Sequence, residues 1–95
     1  MRLRYSEHAL ARLNRQIDFL IERNAFAAAE DLSTGVSQFL EQVLLSYPKT
    51  GRFIAERGIW ETWIPRTKLV LWYVFDEREL VVIDVWHTSQ DRQAD

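Results

Sequence analysis

The chain has 95 residues, a formal net charge of −2, four tryptophans and no cysteine. This length allows one domain with one hydrophobic core, which we assign to residues 1–95. The missing cysteines exclude a disulfide framework and a thiolate metal site, and the negative charge argues against a dedicated nucleic-acid binder, whose affinity depends on an excess of Lys and Arg.

The N-terminal segment gives no sign of export or membrane insertion. Residues 1–13 mix charged and apolar side chains and contain no apolar core of signal-peptide length. No other stretch approaches the roughly 20 apolar residues that cross a membrane. The sequence therefore predicts a cytoplasmic protein without a membrane partner.

The first two predicted elements are a short strand and an amphipathic helix. Residues 2–5 alternate polar and apolar side chains, and Ser6 then supplies an N-cap, because its hydroxyl can accept a hydrogen bond from an amide of the first helical turn. Asn24 tolerates the left-handed conformation and is expected to end the helix. The apolar stripe has three- and four-residue spacing and contains Leu10, Leu13, Ile17, Leu20 and Ile21.

A second helical pattern begins near Phe26 and is ended by Pro48. The short link to the first helix predicts an antiparallel helical hairpin. Gly35 lies within the pattern at a cost of about 1 kcal/mol relative to alanine. It marks either a close approach of the neighbouring helix or a bend, and we favour the close approach. The apolar stripe contains Ala28, Leu32, Val36, Phe39, Leu40, Val43 and Leu44.

The second half of the chain is predicted to form a loop and then three strands. Residues 48–58 are rich in turn formers and cations and are expected to be a loop. β-branched and aromatic residues follow in 59–64, 68–75 and 80–86, separated by short turns. The order is β-α-α-β-β-β, which predicts the α+β class: a small, twisted, mostly antiparallel sheet with the helical hairpin on one face.

The strand at residues 68–75 has apolar side chains on both faces. Leu69, Leu71, Tyr73 and Phe75 alternate with Val70, Trp72 and Val74, and a helical hairpin can cover only one of these sets. An uncovered apolar face on so small a protein indicates a docking surface for a partner or for a second copy of the chain, with a self-contained core and edge packing as the alternative. The predicted partner-binding residues are Arg52, Trp60, Trp63, Trp72, Tyr73 and Trp86.

The sequence contains little catalytic chemistry. Its three glycines are isolated, and its two histidines, His8 and His87, have no second ligand at metal-binding spacing, so we expect neither a metal nor a cofactor. One arrangement is compatible with RNA cleavage through the 2′-hydroxyl, which needs acid–base groups and cations. Its candidate catalytic residues are His87, Lys68, Arg66 and Arg92.

Several motifs in this order resemble the RelE/ParE superfamily of toxins from bacterial type II toxin–antitoxin modules. The resemblance covers nearly the whole chain. Each motif is weak when taken alone, and their order and the chain length make the set fairly specific. The matching pieces are Ala-Leu-Ala-Arg-Leu at 9–13, the alanines at 25 and 27–29, Pro-Lys-Thr-Gly-Arg at 48–52, Lys-Leu-Val-Leu-Trp-Tyr-Val at 68–74, Val-Trp-His at 85–87 and Gln-Asp-Arg at 90–92.

The resemblance implies a growth-inhibiting toxin that is neutralised by a cognate antitoxin, with which it could form a hetero-oligomer. ParE-like members are similar to non-enzymatic poisons of DNA gyrase, whereas RelE-like members are similar to ribosome-dependent, metal-independent mRNA endoribonucleases. This chain has a negative net charge, and Lys68 stands where many members have arginine. Lysine keeps the positive charge but cannot bind a phosphate in the bidentate geometry of arginine. We therefore favour the ParE-like function, with the ribonuclease and a non-toxic binding module as alternatives.

Overall fold

A computed structural model of the chain describes residues 1–89 and contains two α-helices and five strands. None of the described helices is long and apolar enough to cross a membrane. In chain order the elements are β1 (Arg2–Tyr5), α1 (Glu7–Glu22), α2 (Phe26–Phe39), β2 (Arg52–Ile54), β3 (Ile59–Trp63), β4 (Leu69–Phe75) and β5 (Glu79–His87).

The strands form one mixed sheet in the order β1-β5-β4-β3-β2. β1 is parallel to β5, and the other neighbouring strands are antiparallel. The register between β4 and β5 shifts at Trp72/Tyr73, so that Trp72 pairs with Asp84 and Tyr73 with Val82, and Ile83 is the extra residue of a bulge. The predicted α+β class, with a mostly antiparallel sheet and a helical hairpin on one face, is confirmed.

The predicted helix ends are also present. The Ser6 hydroxyl accepts a hydrogen bond from the Ala9 amide at 3.0 Å, and Asn24 has a φ of 61°, which is the left-handed conformation. The stripe of α1 is narrower than predicted: Leu13 is buried and Ile17 and Leu20 are half-buried, but Leu10 and Ile21 are exposed.

The segment between the hairpin and β3 is more ordered than a loop. α2 continues as a π-helical turn over Leu40–Leu44, and a 3₁₀ turn occupies Pro48–Thr50. Residues 48–58 were predicted to be a loop, and this is wrong for β2, because Arg52–Ile54 pairs with β3 at the edge of the sheet. A three-residue strand is too short to show an alternating pattern in the sequence.

The hydrophobic core lies between the hairpin and one face of the sheet. From the sheet it receives Leu69, Leu71, Tyr73 and, on β5, Val82 and Val85. The two helices and the π-helical turn contribute Ala9, Leu13, Val36, Leu40 and Leu44. The helices therefore cover the Leu69–Leu71–Tyr73 side of β4, and Trp72 points to the opposite side.

The expectation that Gly35 marks a close helix–helix approach is wrong. A Cβ atom added at Gly35 would have no neighbouring atom within 4 Å, so the site faces open space. Gly35→Ala is therefore expected to raise the melting temperature by about 4–8 °C, because alanine stabilises a helix interior by about 1 kcal/mol relative to glycine. Thermal unfolding followed by circular dichroism measures this.

Gly58 is the matched control for that substitution. A Cβ at Gly58 would also meet no atom within 4 Å, but Gly58 has a φ of +66°, which an L-residue adopts at a cost. Gly58→Ala is expected to lower stability by about 1 kcal/mol. A loss of stability in Gly35→Ala would contradict the open environment of α2 at this position.

Candidate functional site

The sheet face that the helices leave uncovered carries three tryptophans on three neighbouring strands. Trp63 pairs with Val70, Val70 pairs with Trp86, and Trp72 lies two residues further along β4 on the same side. Trp63 is 61% exposed, whereas Trp72 and Trp86 are half-buried. We call the surface formed by Trp63, Trp72 and Trp86 the tryptophan face.

Polar and aromatic contacts position two of the three rings of the tryptophan face, Trp72 and Trp86. The Trp72 Nε1–H donates to Glu61 Oε2 at 2.7 Å, and Arg52 Nη2 donates to Glu61 Oε1 at 3.3 Å. The Arg57 guanidinium lies 5.2 Å from the centre of the Trp72 ring, and the Trp86 ring meets Trp72 edge-on at 6.2 Å. Trp72 and Trp86 are therefore preorganised, and the surface has charged groups at its rim and aromatic rings at its centre.

The six predicted partner-binding residues do not form one surface. Trp60 pairs with Tyr73 on the helix-covered side, where its ring packs against the core. Tyr73 is completely buried, and its hydroxyl donates to the Pro48 carbonyl at 2.6 Å and accepts from the Gly51 amide at 3.1 Å. Burial raises the pKa of Tyr73, which keeps the phenol neutral. Tyr73 is thus a core residue with no surface for a partner in this structure.

Three of the four candidate catalytic residues lie together at a second site. Arg66, Lys68 and His87 line one groove of about 690 Å³ between the helical hairpin and the turn that joins β3 to β4. Arg92, the fourth, lies outside the described residues 1–89. Within those residues, no group of three or more His, Cys, Asp or Glu side chains could hold a metal ion.

The hydrogen bonds of His87 define its chemistry. His87 Nδ1 accepts from the Ser89 amide at 3.0 Å and lies 2.7 Å from the Ser89 hydroxyl. Because an amide can only donate, Nδ1 is the acceptor in this contact. The Nδ1 lone pair is therefore engaged by Ser89 and is not available to remove a proton from a 2′-hydroxyl.

The sequence-based prediction missed one buried charged residue. Asp84 is only 5% exposed and lies at the β5 bulge, where its carboxylate accepts from Arg12 Nη1 at 3.2 Å and from the Val85 amide at 2.8 Å. His8 Nε2 lies 3.3 Å from the same carboxylate. These contacts hold α1 against β5. The signal in the sequence was a single acid within the apolar run at 80–86.

The chain has a helical hairpin on one face of a five-stranded mixed sheet. This fold, together with the length of the chain and the order of its motifs, assigns it to the class of RelE/ParE-superfamily toxins. The family model for "ParE toxin of type II toxin-antitoxin system, parDE" matches residues 3–92. The chain therefore belongs to the ParE toxin family.

Comparison with solved structures gives the same fold. The chain is similar to a chain of the "Chromosomal ParDE TA system from P. aeruginosa", with a TM-score of 0.68 and 20% sequence identity over 92% of this chain and 95% of that chain. At this level of identity the similarity shows a shared architecture. A comparison with curated proteins finds no match.

Proposed function

We propose that the chain is a toxin that stops growth by poisoning DNA gyrase in the cytoplasm, and that its cognate antitoxin silences it by covering the tryptophan face. The observation that carries this proposal is the sheet face opposite the hydrophobic core, where Trp63 is 61% exposed and Trp72 and Trp86 are half-buried. Membership of the ParE toxin family supports the toxin role.

The chemistry of the tryptophan face suits a protein partner. Tryptophan and arginine are the residue types that most often dominate binding energy, and here they occur as a central aromatic group with Arg52 and Arg57 at the rim. Glu61 holds both Arg52 and Trp72, so little side-chain freedom remains to be lost on binding. An amphipathic helix or strand of the antitoxin would bury these rings and form a hetero-oligomer.

The geometry of His87 favours a non-enzymatic inhibitor over the ribonuclease alternative. RNA cleavage needs a general base, and the ring nitrogen Nδ1 is already bonded to Ser89. The cations near His87 are Arg66 and Lys68, which is a small number for gripping ribosomal RNA. The ribonuclease hypothesis remains testable through these same residues.

A supercoiling assay with purified DNA gyrase tests the proposal. The toxin at micromolar concentration is expected to block supercoiling and to stabilise the cleaved DNA complex, and addition of an equimolar amount of antitoxin is expected to restore activity. His87→Ala and Lys68→Ala should keep both effects, because neither residue acts in catalysis under this proposal. Unimpaired gyrase together with loss of growth inhibition in both variants would favour the ribonuclease.

A further inference from the structure

The groove that contains Arg66, Lys68 and His87 is distinct from the tryptophan face. It lies between α1, α2 and the β3–β4 turn, and His87 reaches it from the helix-covered side of β5, where it pairs with Leu69. Its volume of about 690 Å³ falls within the range of small-molecule sites. We call it the hairpin groove.

One end of the hairpin groove is positively charged. Within residues 1–89, neither Arg66 nor Lys68 forms an ion pair. Arg66 has a φ of 65°, a strained conformation for a residue with a side chain, and the adjacent Thr67 hydroxyl donates to the Ile64 carbonyl at 2.7 Å and accepts from the Leu69 amide at 3.0 Å. The turn therefore fixes the backbone from which the exposed side chains of both cations extend at the groove.

The helical wall of the groove differs from the cationic end, because it carries apolar side chains, an aromatic ring and two amide side chains. Phe19 of α1 is 50% exposed, with the Arg23 guanidinium 4.4 Å from the centre of one face of its ring. Leu20 and Leu32 extend the apolar surface beside it. Gln16 and Gln38 add amide groups that can both donate and accept hydrogen bonds. A flat ring that carries polar edges fits such a wall, since bases stack on aromatic side chains and bind amides through their edges.

We infer that the hairpin groove binds a nucleotide. Charge complementarity places the phosphates at Arg66 and Lys68, and the base lies against Phe19 within reach of Gln16 and Gln38. The two cations match the phosphates and the aromatic and amide side chains match the base, whereas Asp31, which also lines the groove, matches neither. This site is independent of the gyrase and antitoxin proposal, because it uses no residue of the tryptophan face.

Isothermal titration of the full chain with ADP, adenosine and inorganic phosphate tests this inference. ADP is expected to bind saturably at a concentration below about 1 mM and at least ten-fold more tightly than either adenosine or phosphate, because it alone engages both ends of the groove. Binding of phosphate with the affinity of ADP would overturn the assignment to a nucleotide, as would the absence of ADP binding.

Three variants locate the site. Arg66→Asn keeps a residue that tolerates the left-handed turn and removes the charge, and Lys68→Gln removes the second charge; each is expected to weaken ADP binding about ten-fold or more. Gly35→Leu places a side chain in the open space at the groove and is expected to abolish binding. Thermal unfolding of each variant verifies its fold.

Arg52→Gln, on the tryptophan face, is the matched control and is expected to leave ADP affinity unchanged. Unchanged ADP binding in Arg66→Asn and Lys68→Gln would overturn the inference. If ADP does not bind and Gly35→Leu instead abolishes antitoxin binding, the groove is a protein-docking site and the inference is wrong. None of these outcomes bears on gyrase inhibition, so the two proposals fail separately.

Discussion

Gly51→Ala is expected to lower the free energy of unfolding by about 3 kcal/mol, one of the two largest effects that the structure predicts. A Cβ atom at Gly51 would lie 2.5 Å from the Glu61 carbonyl oxygen and 2.8 Å from the Tyr73 hydroxyl. The backbone must shift to relieve these contacts, and the shift also breaks the hydrogen bond from the Gly51 amide to Tyr73. Urea unfolding of the two proteins measures the difference.

Tyr73→Phe separates the two causes of this loss. Removing the hydroxyl leaves the Pro48 carbonyl and the Gly51 amide without their partner and is expected to cost about 1–3 kcal/mol. In the double variant the contact with the hydroxyl is gone, but the contact with the Glu61 carbonyl remains. The double variant should therefore lose less stability than the sum of the single variants and still be less stable than Tyr73→Phe alone.

Tyr47 provides the control for the tyrosine substitution. Tyr47 is 70% exposed, so Tyr47→Phe is expected to change the stability by less than about 0.5 kcal/mol. A change of similarly small size in Gly51→Ala would contradict the close approach of residues 48–51 to β3 and β4. This contact has a functional consequence, because Gly51 directly precedes Arg52 and thereby fixes one rim of the tryptophan face.

Local patterns were sufficient to predict the main elements of this fold. The N-cap at Ser6, the left-handed Asn24 and the β-branched runs of β4 and β5 each depend on residues that are close in sequence, and each is present. β2 could not be predicted in this way, because three residues of edge strand owe their conformation to pairing with β3. The open space at Gly35 likewise depends on how far apart the helices lie.

The division of the aromatic residues between two faces was partly readable from the sequence. Trp60 and Trp63 are three residues apart in one strand, and Trp72 and Tyr73 are adjacent, so each pair must point to opposite faces. The prediction grouped all four. In contrast, the side on which the residues of β5 lie depends on the bulge at Ile83, which shifts the register by one residue and cannot be inferred from alternation alone.

The hairpin groove combines residues that are far apart in the sequence. Phe19, Gly35, Arg66 and His87 belong to four different elements or turns, and only the packed fold brings them together. The sequence did indicate that Lys68 and His87 could approach each other across antiparallel strands. It gave almost no indication of the helical wall of the groove. The single sign was Phe19, an aromatic residue outside the apolar stripe of the first helix.

Trp63→Ala is expected to weaken antitoxin binding by about 2 kcal/mol or more, which is a loss of at least about 30-fold in affinity. Trp63 is 61% exposed and lies outside the hydrophobic core, so the substitution should leave the melting temperature nearly unchanged. Titration of the purified cognate antitoxin into each toxin variant measures the effect. Phe19→Ala is the matched control, since Phe19 is 50% exposed but lies on α1, away from the tryptophan face.

The same substitution separates neutralisation from toxicity in a growing culture. If the antitoxin covers the tryptophan face, cells that express both proteins should grow with the unaltered toxin and with Phe19→Ala. Cells that express the antitoxin with Trp63→Ala should stop growing, provided that this variant still inhibits gyrase in the supercoiling assay. Equal affinity of the antitoxin for Trp63→Ala and for the unaltered toxin would place the antitoxin on another surface. A loss of affinity in Trp63→Ala, in contrast, is assignable to Trp63 itself and not to a rearranged sheet, because Trp72 and Trp86 are held by their own contacts.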